Sequence, residues 1–128
     1  MIRSLGIAVR RAPYGTISAG EALRHAAGAI TYGVATTFVL LEDGVYVARA
    51  DQAGERIGFT SLAEPLAQFA KHQGRDANGL PVQGRVVAHG PSLAARGLRG
   101  DKLVDGVEIV DDAALAELLG ACDAVLTY

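Results

Sequence analysis

The sequence predicts an α/β protein: a single-domain, three-layer α/β/α sandwich built on a five-stranded, mainly parallel sheet and spanning residues 1–128. Three observations predict it. Short apolar or β-branched runs alternate with helical patterns down the whole chain, and parallel neighbours require such crossover connections. The 128 residues suffice for one compact domain and hardly for two. Half of them are hydrophobic, yet only 5% are aromatic and none is tryptophan, so the core must be assembled from Ala, Val, Leu and Ile.

Residues 5–9 (LGIAV) open the chain as a short buried strand. Pro13 and Gly15 then mark a loop. Over residues 18–32 the apolar Ala22, Leu23, Ala26, Ala27 and Ile30 recur at helical spacing. Ser18 with Glu21 three residues later has the capping-box pattern, and Gly33 suits the left-handed position after a helix. Residues 34–41 (VATTFVLL) read as the second strand. Glu42, Asp43 and Gly44 close it, residues 45–50 fit either a short helix or a strand, and 51–60 form a polar loop. Ser61 and Glu64 make a second capping-box match, opening a helix to about residue 73. Pro65 is tolerated there because the first turn has no intrahelical donors to lose. A loop over 74–79 leads to a third strand, 82–88. After the turn at 89–92 come a short helix, 93–96, stopped by Gly97, and a fourth strand, 107–110. Asp111 or Asp112 caps a helix running to Leu119, and residues 124–127 supply the fifth strand.

Charge and cysteine usage narrow the function classes. Twelve Lys plus Arg against fourteen Asp plus Glu give a formal net charge of −2, against the basic excess expected of a protein that touches nucleic acid directly. One cysteine excludes an intramolecular disulfide and a Cys-only zinc site. The apolar run near the start is too short for a signal core, and none approaches membrane-spanning length, so a cytoplasmic protein without membrane contact is expected. No His and carboxylate spacing suggests a metal, and no cofactor motif is present.

Sites in open α/β sheets form outside the carboxyl ends of the strands. That rule selects the loops at residues 10–18, 42–44 and 89–92, and a candidate cleft lined by Tyr14, Thr16, Asp43, His89 and Ser92. The first loop meets a helix N-terminus but lacks the GxxxxGK[ST] and GxGxxG spacings of phosphate loops. Of the three histidines, His25 and His72 read as structural or solvated. His89 follows a strand at the predicted site edge and is the candidate for function. Ser92, His89 and Asp43 make a triad on paper only, because GxSxG is absent. Cys122, next to Asp123 and entering the last strand, reads as a small hydrophobe. Val45, Tyr46, Val47, Ile57 and Phe59 lie in irregular stretches where a lone subunit would leave them uncovered, suggesting an interface.

Four segments carry a family resemblance. Ala12-Pro13-Tyr14-Gly15-Thr16 followed by Ala19-Gly20-Glu21-Ala22-Leu23 resembles the APHGT…GREGLD stretch of the DsrE/DsrF-like sulfur-relay proteins. Residues 38–52 (FVLLEDGVYVARADQ) are similar to the strand, DGVF/DGVY turn and closing glutamine of their DsrF/TusC branch. Residues 92–98 (SLAARGL) resemble its SLxxRGL helix, and 123–128 (DAVLTY) its terminal D-x-V-L-x-F strand. The resemblance implies a flavodoxin-like subunit that self-associates or assembles with homologous DsrE/DsrH-like subunits. In that family some subunits carry persulfide sulfur on a cysteine after the third strand, and aligning on SLxxRGL puts His89 at that position. Imidazole cannot hold and release sulfane sulfur, so the expected role is a subunit that does not itself carry sulfur and has no catalytic residue of its own. Tyr14 stands where the family pattern has histidine. The alternative is a standalone protein of the same fold that binds a small anion through Tyr14, Thr16, Asp43 and His89. A sulfurtransferase using Cys122 is the third reading.

Overall fold

The computed structural model describes residues 1–98 and 102–128. The chain runs β1 (Ser4–Val9), α1 (Ser18–Thr31), β2 (Ala35–Leu40), α2 (Ala63–Lys71), β3 (Gln73–Arg75), β4 (Pro81–Gln83), β5 (Arg85–His89), α3 (Gly90–Ala95), β6 (Val107–Val110), α4 (Asp112–Gly120) and β7 (Ala124–Thr127). Five strands form one parallel sheet in the order β6-β5-β2-β1-β7. The predicted α/β architecture is the observed one.

Side chains alternate between the two faces of each strand. Ile7, Val9, Phe38, Leu40, Val86 and Ala88 therefore face α1 and α2, where they meet Ala22, Leu23, Ala26, Ile30, Leu66 and Phe69. The intervening Ala8, Val39 and Val87 face the other way and pack with Leu115 of α4. The larger cluster is aliphatic apart from the Phe38–Phe69 ring pair, whose centroids lie 5.9 Å apart.

Local chemistry corrects several expected boundaries. Neither capping box forms. Ile17 is the N-cap of α1 with no side-chain cap, Ser18 is already helical, and Glu21 bonds Arg24 at 2.7 Å instead of reaching back. Leu62 is the N-cap of α2, while the Ser61 hydroxyl accepts the Gly54 N–H at 2.9 Å and donates to the Glu55 carboxylate. The carboxyl of Glu55 is held below its ordinary range, chiefly by that hydroxyl. Gly33 does take the left-handed backbone, with φ +84°.

The expected loop over 74–79 instead contributes to a small antiparallel hairpin of β3 and β4. The expected strand 82–88 is divided by Gly84, whose N–H turns aside to the His72 carbonyl, and β5 begins only at Arg85. Residues 42–48 settle into a 3-10 turn, and a second one, Gly54–Ile57, lies inside the polar loop. The short helix expected at 93–96 begins earlier, at Gly90, with Pro91 in its first turn. Of the two possible caps of α4, Asp111 is the one used, its carboxylate accepting the Ala114 N–H at 2.8 Å. Val45 and Val47, expected to lie uncovered, are fully buried in the larger cluster, whereas Ile57 remains exposed.

Candidate functional site at the carboxyl edge of the sheet

Because β1, β2, β5 and β6 are parallel, their carboxyl ends deliver Arg10, Glu42, His89 and Asp112 to one edge. His89 sits opposite Val110 in the β5–β6 register, so Asp112, two residues further on, lands beside it. The imidazole Nε2 is 2.6 Å from the Asp112 Oδ1. Its Nδ1 is 2.7 Å from the Oγ of Ser92, a buried residue on the first turn of α3. That Oγ accepts the Glu42 N–H at 2.9 Å.

One proton placement satisfies all three contacts with a neutral ring. Ser92 accepts from Glu42 and donates to Nδ1, and Nε2–H donates to Asp112. Glu42 holds its amide in place with φ +52°, the one positive φ among the described non-glycine residues. The Glu42 side chain takes two hydrogen bonds from the Arg10 guanidinium, at 2.9 and 3.3 Å. Arg96 of the residue run after α3 donates to Asp43 at 2.8 Å and to the Ser92 carbonyl at 3.2 Å. Two cation–carboxylate pairings, Arg10 with Glu42 and Arg96 with Asp43, thus line the edge beside the His89–Asp112 hydrogen bond.

The sequence-derived candidates divide between two places. His89 and Ser92 come together directly, and Asp43 joins them through Arg96. The third member of the hydrogen-bonded chain is Asp112, not the Asp43 of the paper triad. Tyr14 belongs elsewhere. Its hydroxyl donates to the Gln52 Oε1 and accepts the Leu62 N–H at 3.1 Å, while Gln52 anchors to the Val47 and Arg49 carbonyls at 2.7 Å each. These bonds tie the first loop to the 3-10 turn and the start of α2, beside a cavity of about 370 Å³ that Tyr14, Tyr46 and Ile57 help to line. Thr16 is exposed, and its hydroxyl accepts the Ser18 N–H at 3.4 Å. Asp112, Arg96 and the Glu42 amide were missed in sequence. The rule that selected the ends of three strands also selects residues 111–112 when it is applied to β6.

Cys122 lies at the opposite, amino edge of the sheet. It precedes β7, whose Ala124 pairs with Leu5 near the start of β1. Its Sγ is 3.4 Å from the Leu118 carbonyl, and burial, then the Asp123 carboxylate, push the thiol pKa upward. Among the described residues no group of three or more His, Cys, Asp and Glu side chains is placed to hold a metal ion. No helix among them is long and apolar enough to cross a membrane.

The profile of the DsrE/DsrF-like family matches residues 3–128. The chain belongs to the DsrE/DsrF-like family. Among its DsrE/DsrF-like relatives is the intracellular sulfur oxidation protein DsrF of Allochromatium vinosum, 29% identical over 93% of this chain and 91% of that protein. A TusC homolog of Pseudomonas aeruginosa is 30% identical over 99% of both chains. In solved structures, the ychN protein of E. coli matches with a TM-score of 0.76 at 24% identity, covering all of both chains, which establishes the shared fold.

Proposed function

We propose that the chain acts as one DsrE/DsrF-like domain and as an oligomeric subunit of a sulfur-relay assembly, without itself carrying sulfur. The observation that carries this reading is the separation of its one thiol from the carboxyl edge. The names of the DsrF and TusC relatives support the sulfur context. The family position for a persulfide-bearing cysteine falls on His89, whose ring is already engaged by Ser92 and Asp112. Cys122 sits at the other edge, with its thiol pKa raised. A persulfide donor or acceptor needs an accessible thiolate, and neither residue supplies one at the edge. On this reading the subunit completes an assembly, with itself or with homologous subunits that do bear the cysteine.

Intact-mass spectrometry after incubation with a persulfide donor tests the chemical half. The wild-type chain should gain no sulfur, and His89→Cys should gain one atom at residue 89. Sulfur appearing on wild-type Cys122 would overturn the non-carrier role. Native mass spectrometry tests the other half, since a strictly monomeric protein that retains no homologous subunit contradicts a subunit role.

A further inference from the structure

The His89–Asp112 contact is lopsided. The His89 side chain is 16% exposed and the Asp112 side chain 83%. The ring is held from behind by Ser92, which is held in turn by the Glu42 amide. Among the described residues, by contrast, His89 is the one hydrogen-bond partner of the Asp112 carboxylate. Water competes well for so exposed a carboxylate. With Asp112 turned away, the Ser92 bond would still hold the imidazole and leave an oriented Nε2–H facing outward. The chain's own carboxylate therefore occupies the position of an external anion on a preorganised donor.

We propose that the external group taking this position is the sulfur anion, thiolate or persulfide, of a cysteine on a partner protein, with Asp112 as the displaceable occupant. The inference rests on the sulfur-relay reading above and adds a role for the histidine. Where a carrier subunit would bring its own sulfur, this subunit brings a hydrogen-bond donor for sulfur brought by another. The neighbouring cations already have carboxylate partners in this structure, Arg10 in Glu42 and Arg96 in Asp43. Binding forms no covalent bond. It exchanges an internal acceptor for an external one at a fixed N–H.

The test is a titration of the ¹⁵N-labelled full chain with glutathione persulfide, following the ring resonances of His89, assigned by their loss in His89→Gln. Acetate and S-methylglutathione are the competing probes. The proposal expects saturable movement of the ring signals with persulfide and none with S-methylglutathione. It expects Asp112→Ala to saturate at a concentration about fivefold lower, the size of competition an exposed pair offers. Asp112→Ala keeps the Asp111 cap of α4 and so should fold. An unmoved ring in Asp112→Ala, or equal response to acetate, overturns the inference. Either result leaves the subunit reading to its own test, in which partner retention is measured rather than ring chemistry.

Discussion

Gly44 rests directly on the end of β1: a Cβ at Gly44 would lie 1.9 Å from the Val9 carbonyl oxygen and 2.7 Å from its carbon. That carbonyl is also the acceptor for the Leu41 N–H at 3.1 Å. The 3-10 turn after β2 can therefore cross the end of β1 only where a side chain is missing, and it is this crossing that carries Val45 and Val47 into the core.

Gly44→Ala should consequently be far more harmful than an ordinary glycine replacement. The neighbouring atoms are backbone and cannot rotate away, so a loss of at least about 2–3 kcal/mol is expected. Urea unfolding followed by circular dichroism measures it, and a variant within experimental error of wild type would remove the close crossing as a determinant of this turn.

Ser92→Ala tests the hydrogen-bonded chain. It leaves the Glu42 N–H without its acceptor and frees one side of the His89 ring. An unmet amide in this half-buried setting costs about 1–3 kcal/mol. His89→Ala, which leaves the Glu42–Ser92 bond intact, should cost less. Thermal unfolding of the pair gives the order, and the reverse order would show that the imidazole rather than the amide is the principal support of Ser92.

Asp123 provides the pH dependence. Its carboxylate accepts the backbone N–H groups of Arg3 at 2.7 Å and Ser4 at 3.2 Å, and these bonds, Arg3 first, hold its pKa below the ordinary carboxylate value. A carboxylate whose native pKa is lowered contributes stability above its unfolded pKa and loses it as pH falls through the native one. Asp123→Asn should therefore lower the melting temperature near neutrality, with the difference from wild type closing as the solution becomes acid enough to protonate the native carboxyl. A pH-independent gap would mean that charge plays no part in the tie.

Cys122 should alkylate slowly. Iodoacetamide reacts with the thiolate, and here burial and Asp123 disfavour that form. The rate at pH 8 is expected to fall at least about tenfold below that of free cysteine and to rise with a midpoint above the ordinary thiol pKa. A midpoint at or below that ordinary value would place Cys122 among reactive thiols.

The sheet was legible because its strands are short apolar runs and its helices amphipathic; α1 was marked by Ala22, Leu23, Ala26 and Ile30, and its end by Gly33. The caps were misread where side chains found other partners: Glu21 took Arg24, and Ser61 took Gly54 and Glu55. The β3–β4 hairpin was hidden because Gln73, Gly74 and Arg75 show no apolar alternation, and their pairing is fixed by the neighbouring α1, with Gly74 packed on the Ile30 carbonyl. At the site, His89 and Ser92 are three residues apart and could be linked by eye. Asp112 reaches them only through the β5–β6 register, a tertiary fact that local pattern does not carry. Tyr14 looked like a ligand contact for the same reason: its partners, Gln52 and Leu62, lie far along the chain.

The two arginine–carboxylate pairs along the carboxyl edge also shape how another protein meets it. Opposite charges 2.8–2.9 Å apart act at a distance as small dipoles rather than as free charges. Their fields fade well within the screening length of roughly 8 Å at physiological salt. These four side chains therefore exert little pull on a molecule still diffusing in solution, and their contribution to encounter rates should be nearly blind to ionic strength. Whatever selectivity they hold is exercised after touch, when one member of a pair changes partner.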